Sequence, residues 1–352
     1  MAHRERGERP TVLVTGAGGT LAVSIFKSFR QSALAPRIVA TDAKPRSVGL
    51  FRADAAYVLP AVVPDERPYL DRLREICLVE RVDLVCFGSD VELRRVAPHA
   101  DEVFRATGAR LIVNRPAAVD TFLDKWLTAC ALRENDLPVP DTVLASDGAA
   151  VPAFLAQHSF PLVVKPRHGS GSKNLFVVHG QDELEAACRW TPEPVLQEYL
   201  LPDDEEYTVG IYRSPRRGYV GQIVLRRSLG GGLTYKAEVV RDEAIEATCR
   251  RLVDAFDLWG PVNVQLRKTA QGVRVFEINP RFSGSGPMRA YFGFNEAELC
   301  LRDLLLDEPL AQPEIRGGCA LRFWDELYLA PDECSPAEGP LPAPRGTRVA
   351  DF

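Results

Sequence analysis

Between Thr11 and Arg115, short apolar runs alternate with helix-patterned stretches, in the order TVLVTG, a helix over about Leu21–Gln31, RIVATD, a helix around Tyr69–Glu80, VDLVCFG and RLIVN. Strands separated by helices return to the same sheet by crossovers, so this stretch predicts a parallel sheet flanked by helices. Asn114, Arg115 and Pro116 end the pattern. Residues 117–135 then read as one long helical region, followed by the Pro-flanked connector LPVPDTV. From Thr142 to about Leu196 the pattern is mixed: the strand FPLVVKP, a Gly/Ser loop, the strand NLFVV and a helix opening at Asp182. Beyond Gln197 strands dominate, EYTVGIYR, GYVGQIVLRR, VNVQL and VRVFEIN, with a helix near Asp242–Phe256 and a last one over about Asn295–Leu306. The expected organisation is a parallel-sheet α/β domain over 1–116, a small lobe with its linking helix over 117–196, a larger α+β lobe over 197–330, and a Pro/Gly-rich tail over 331–352, extended or mobile.

Composition narrows the function classes. With 46% hydrophobic and 26% charged residues over 352 positions, the chain has the make-up of an ordinary globular protein. A formal net charge of -5 offers no basic field for nucleic acid or anionic lipid. No apolar run approaches the roughly 20 residues of a membrane helix, and the leading MAHRERGERP lacks the apolar stretch of a signal peptide. A cytoplasmic protein with no membrane or nucleic-acid partner is expected. The 8 Cys stand singly, as in DLVCF and EATCR, without a CxxC pair, and read as reduced, mostly buried small hydrophobes.

The turn VTGAGGTLA puts Gly16, Gly18 and Gly19 between a strand and a helix, where backbone N–H groups can cradle an anion. Asp42 closes the next strand at about the roughly 20-residue spacing of a dinucleotide fold's ribose-binding acid. An NAD(P)-dependent epimerase or reductase is therefore a rival reading. Against it, Leu21 and Ala22 occupy the candidate positions of a third glycine, and no Tyr is followed four residues later by Lys.

The second half carries more specific chemistry. VNVQLRK and VRVFEINPRFSGSG read as antiparallel neighbours joined by TAQG. Val262, Val264 and Leu266 alternate with Asn263, Gln265 and Arg267, while Glu277 and Asn279 share one face of the next strand. Three oxygen-bearing side chains thus converge, a set suited to Mg²⁺, which completes its octahedron with phosphate and water. Arg281 points the same way and could neutralise a phosphoryl group in transit. In FPLVVKPRHGSGSKNLFVV, Lys165 ends a strand and Gly169, Ser170, Gly171 and Ser172 follow; such a hairpin can lay its amides on phosphates while the Lys supplies charge.

Together these residues resemble the ATP-grasp superfamily, within it the carbamoyl-phosphate synthetase large-subunit-like ligases, from about Thr11 to about Leu306, most specifically in FEINPRFSGS with the preceding VNVQL. The resemblance implies a Rossmann-like pre-ATP-grasp domain followed by a two-lobed ATP-grasp module, with ATP and one or two Mg²⁺, or Mn²⁺ in its place, as cofactors. It implies Gln265, Glu277 and Asn279 as metal ligands, with Glu277 bridging, and Arg281 as the residue stabilising the transferred phosphoryl group. Lys125 in TFLDKW and Lys165 match residues that touch ATP. VLQEYL matches the hinge where Gln197, Glu198, Tyr199 and Leu200 border adenine, and Glu206 the acid on the ribose, with Glu205 as the alternative register. Where the biotin carboxylase branch carries a catalytic His, this chain has Thr234 and Lys236 in GGGLTYKAE, so bicarbonate chemistry is not supported.

The expected activity is carboxylate–amine ligation through an acyl phosphate on small molecules, with Arg226 and Lys236 joining Arg281 as catalytic candidates. Gly18, Asp90, Glu92, Ser283, Ser285 and Arg289 are the substrate candidates; Asp90 and Glu92 could take an ammonium, and Asp90 equally reads as a helix N-cap. A nucleotide-binding regulator without turnover is the other alternative. Ligases of this kind are often dimers, which leaves a homodimer open.

Overall fold

A computed structural model describes residues 9–334, 338–341 and 345–348. The leading segment over 1–8 and the rest of the tail lie outside the described residues.

Five parallel strands, Thr11–Val14, Arg37–Asp42, Ala55–Val58, Leu84–Cys86 and Arg110–Leu111, form the N-terminal sheet. Its central strands are buried on both faces, which explains why TVLV and LVC are continuous apolar runs. The sequence reading missed Ala55–Val58, whose AAYV carries no alternation. A four-stranded antiparallel sheet follows, in the order Thr142–Leu144, Pro194–Glu198, Leu162–Pro166, Phe176–Val178. The large antiparallel sheet runs Gly272–Asn279, Gly260–Thr269, Glu206–Ser214, Gly218–Gly230, Leu233–Val240, Cys319–Leu321.

Two expectations need correction. The region 117–135 is two helices, Pro116–Phe122 and Lys125–Glu134. They are broken at Asp124, whose extended backbone lets its carboxylate accept the Trp126 and Leu127 amides as an N-cap. The tail reading also changes. Gly339–Pro340 adds an antiparallel strand beside Ala55–Ala56 of the N-terminal sheet, while Cys319–Leu321 edges the large sheet. The segment beyond Gly318 is thus tied to both.

Four hydrophobic clusters hold the described residues together, and two of them bear on the site. The helix Thr20–Arg30 buries Ile25, Phe26 and Phe29 in one cluster with Phe282, Phe294 and Leu301, so the N-terminal sheet and the large lobe share a core. Phe29 and Phe282 meet edge to face at 6.5 Å. The small lobe packs Phe154, Leu162, Val164, Val178, Leu184 and Leu196 in a separate cluster. Of the cysteines, Cys77, Cys86, Cys249 and Cys300 are buried, Cys319 is exposed, and all are free. Among the described residues no helix is long and apolar enough to cross a membrane.

Candidate active site

A cleft of about 1660 Å³ opens between the N-terminal sheet, the small lobe and the large sheet. That is larger than the roughly 300–1,000 Å³ that one drug-sized ligand fills, so two ligands can lie side by side in it.

At its floor the neighbouring strands Gly260–Thr269 and Gly272–Asn279 pair Gln265 with Glu277 and Asn263 with Asn279. Side chains of directly opposed residues leave a sheet on the same face, and all four line the cleft. Glu277 Oε1 accepts both the Gln265 Nε2 amide at 3.0 Å and the Asn279 Nδ2 amide at 2.8 Å. Rotation of the two carboxamides exchanges nitrogen for oxygen at nearly the same place, so three oxygens can meet one hard cation. That donor set fits Mg²⁺, which keeps water and phosphate in its shell. No cluster of three His, Cys, Asp or Glu occurs among the described residues, so a zinc-type cage is not what the chain offers.

Two lysines approach this floor. Lys125, at the start of its helix, donates from Nζ to the Gly169 carbonyl at 2.7 Å; burial lowers its ammonium's pKa, opposed by the charge of Glu277. Lys165 is only 4% exposed, donates to Gln197 Oε1 at 2.8 Å and stands 5.7 Å from the Phe276 ring centroid. Burial, reinforced by Lys125, brings its ammonium down to about 8. The glycine hairpin crosses above. Gly169 and Gly171 have φ of +115° and +72°, and the Ser170, Gly171 and Ser172 amides donate to nothing among the described residues.

The hinge residues lie beyond the open cleft. Gln197 is buried and its amide donates to Thr142 Oγ1, Glu198 Oε1 accepts the Asp141 amide, Tyr199 donates to Asp203, and the Leu200 carbonyl accepts from Arg267. Glu206 has both oxygens engaged, one by Arg227 at 2.9 Å and one by Arg267 at 2.7 Å. Glu205 instead accepts from the Tyr207 hydroxyl.

Several site expectations change. Arg226 and Lys236 do not line the cleft: Arg226 turns to Glu238 on the opposite face, and Lys236 is exposed. The strand alternation delivers Arg227 instead, which donates to Gln265 Oε1 at 2.5 Å. Arg289 is wholly buried, paired with Glu296 at 2.7 Å and donating to Asn263 Oδ1, so it braces the floor from outside the cleft lining. Asp90 is engaged by Arg281 through two contacts of 2.8 and 3.3 Å, so its charge is already matched within the protein. Burial favours its neutral form, but the Arg281 charge and hydrogen bond, with help from Ser170, hold it below the usual range. Glu92 lines the cleft but is 8% exposed and accepts from Thr15 Oγ1 at 2.6 Å; burial pushes its carboxyl up to about 7, with Asp42 adding to the rise and the Thr15 bond opposing it. Ser283 and Ser285 are buried in the lining, Ser285 donating to Thr234 Oγ1. Arg322 reaches the same wall from the strand edge Cys319–Leu321, and no sequence pattern marked it, since a three-residue strand has no legible period.

The first glycine turn is spent on the protein itself. Ala17 N donates to Thr41 O, Gly19 N to Gly16 O, and Gly18 N to Asp42 Oδ2, while Asp42 Oδ1 accepts from Lys44 N. The acid expected on a ribose is holding backbone, and the amides expected on a pyrophosphate have partners, which removes the support for the dinucleotide reading.

Two family profiles match this chain: "PylC-like, N-terminal domain" over residues 12–112 and "ATP-grasp in the biosynthetic pathway with Ter operon" over 191–325. The chain carries an ATP-grasp domain behind a PylC-like N-terminal domain. A carbamoyl phosphate synthase large chain from Rubrobacter xylanophilus is 27% identical over 314 residues, 80% of this chain and 28% of that one. An N5-carboxyaminoimidazole ribonucleotide synthase from Synechococcus elongatus is 28% identical over 235 residues, 64% of this chain and 59% of that one. This ATP-grasp chain therefore spans between about a quarter and three fifths of those relatives' length. The crystal structure of the ADP complex of purK, N5-carboxyaminoimidazole ribonucleotide synthetase, superposes with a TM-score of 0.72 at 18% identity, covering 97% of this chain and 91% of that one; the likeness establishes the shared ATP-grasp fold.

Proposed function

We propose that the chain is an ATP-dependent carboxylate–amine ligase, acting in the cytoplasm on a small acid and a small amine. The observation that carries the reading is the convergence of Gln265, Glu277 and Asn279 on one point beneath Lys125 and the open amides of the glycine hairpin. A metal triad facing two lysines and free amides suits a triphosphate better than any other common ligand.

In this reading Gln265, Glu277 and Asn279 hold Mg²⁺, which when bound supplies charge neutralisation on the phosphates. Lys125, Lys165 and the amides of residues 169–172 hold the phosphate chain, and the hinge over 197–200 borders adenine. Glu206 takes the ribose, exchanging one arginine contact for it. A substrate carboxylate oxygen attacks the γ-phosphorus, the bond to the bridging oxygen of ADP breaks, and an acyl phosphate results. An amine nitrogen then attacks the acyl carbon, the carbon–oxygen bond to phosphate breaks, and the nitrogen loses its proton as the amide forms. The protein's work is placement and charge: Arg281, fixed by Asp90, faces the phosphoryl oxygens, and the small lobe, with its own core, closes to keep water from the intermediate.

The test is phosphate release from Mg-ATP with panels of acids and amines, followed by mass measurement of the product. Turnover that persists at the wild-type rate in folded Glu277→Ala would overturn the metal assignment; NAD(P) binding without Mg-ATP binding would overturn the reading.

A further inference from the structure

The cations of this cleft fall into two groups with different surroundings. Arg227 and Arg281 have carboxylate partners, Glu206 and Asp90. Arg94 and Arg95 pair with Asp120 and Glu66, while Lys125, whose Nζ donates to the Gly169 carbonyl, belongs with Lys165 and the hairpin's Lys173 to the phosphate end already described. That leaves Arg322, Lys44 and Arg46, which also line the cleft and make no ion pair among the described residues. Arg322 is the most constrained. Its amide donates to Tyr235 O, extending the strand edge, and its Nη2 donates to the Gly284 carbonyl at 2.6 Å. Burial lowers its pKa with no acid to offset it.

The same Gly284 carbonyl also accepts from Ser24 Oγ, one turn into the helix Thr20–Arg30. The Arg322 guanidinium therefore stands where the large lobe meets that helix, beside the buried hydroxyls of Ser283 and Ser285. The Ser283 hydroxyl accepts the Ser285 amide at 3.2 Å, and its own proton meets no acceptor among the described residues. In the same lining, Lys44 and Arg46 flank Ser47, the residue that packs on Gly18. A half-buried guanidinium costs desolvation that one carbonyl contact offsets poorly, whereas a carboxylate or phosphate would take two parallel hydrogen bonds from it.

We propose that Arg322, with Ser283, binds an anionic group on the acid substrate, so that this acid carries a second carboxylate or a phosphate besides the carboxylate that is activated. The inference rests on the ligase reading of the cleft and deepens it, by assigning one wall to the non-reacting end of the substrate. Anchored at Arg322, the substrate presents its other end toward Arg281 and the metal triad, because Phe282 and Ser283 join the two arginines' walls in a single loop. Lys44 and Arg46, being exposed, add attraction without fixing orientation.

The test is titration calorimetry on the full chain with ADP and Mg²⁺ present, comparing succinate with acetate and 3-phosphoglycerate with glycerate. Each pair differs by one anionic group, and the two arms distinguish a carboxylate from a phosphate. The expected result is at least tenfold tighter binding of the doubly anionic member of one pair. Arg322→Met abolishes that preference and Arg322→Lys restores part of it, with the Mg-ADP affinity of both variants unchanged. A structural strut would instead weaken nucleotide and acid together or affect neither. Equal affinity within both pairs, or a preference that survives Arg322→Met, overturns the proposal while leaving the ligase reading standing if Mg-ATP binds. Failure of Mg-ATP to bind, with the Arg322-dependent preference intact, overturns the ligase reading and leaves an anion site.

Discussion

The two glycine-rich loops look alike in sequence and do opposite things. Around the turn after Thr11–Val14, the glycines of other segments that pack on it, Gly49 and Gly88, are needed because that turn leaves no room for a side chain. A Cβ on Gly49 would stand 2.6 Å from the Ala17 carbonyl oxygen, and one on Gly88 2.3 Å from that of Thr15. In the small-lobe hairpin a Cβ on Gly169 or Gly171 would meet nothing within 4 Å, and glycine is needed there for its positive φ. The first loop has its amides bonded internally; the second has them free. Glycine richness therefore marks a place where backbone must come close, and only the occupant of that closeness, protein or ligand, tells structure from function.

The largest effect should come from the packed loop. Gly88→Ala forces a methyl against the Thr15 carbonyl and, at 2.5 Å, against Ala22 Cβ. Overpacking of this kind costs about 1–3 kcal/mol, so thermal denaturation should show a clear loss of stability; an unchanged Tm would break the comparison. Next comes Gly232→Ala, directly against the hairpin, where a Cβ would lie 2.1 Å from the Gly171 carbonyl at a φ of +76°. Here the fold should survive while the hairpin is held open, and the KM for ATP should rise on the order of tenfold, equivalent to about 1.4 kcal/mol of binding.

A smaller effect sharpens the picture of the hairpin side. The Lys165 ammonium, brought down to about 8 by burial, is half neutral near that pH in the free protein, and a triphosphate favours its charged form. Nucleotide binding at pH 8 to 9 should thus take up a proton and weaken as pH rises through 8. Calorimetry in two buffers of different ionisation enthalpy measures this, and Lys165→Met should remove the uptake. For stability the sign is opposite: a depressed lysine disfavours folding below about pH 8, and that penalty fades as pH climbs toward the ordinary lysine value of 10.5.

The smallest expected change belongs to the packed loop's own acid. Burial lifts Glu92 from 4.5 to about 7, so its contribution is fully present below 4.5 and is lost as pH rises through 7. Glu92→Gln should flatten the dependence of Tm on pH across that window. An identical slope in both proteins would mean the carboxyl is ionised beneath the glycine turn.

Much of this architecture is legible in the chain because short-range periodicity encodes it. The alternation from Thr11 to Arg115 implies a parallel sheet, and the offsets Val262/Gln265 and Glu277/Asn279 place side chains on chosen faces before any partner is known. The convergence of Gln265, Glu277 and Asn279 was legible for the same reason, since two neighbouring strands joined by a tight turn bring their registers together almost without tertiary help.

What only the tertiary structure decided is which polar groups were already taken. Asp42, Asp90 and Arg289 have the composition of ligand-binding residues, yet each is spent on a backbone amide or an opposite charge that the fold sets against it. Arg227 displaced Arg226, and Arg322 entered the cleft, through strand faces and edge pairing that depend on which element lies alongside. Hydrogen-bond capacity is a local property of a residue, but its satisfaction is set by contacts across the whole fold; the chain alone therefore determined where chemistry could occur, and packing determined which groups were left free to perform it.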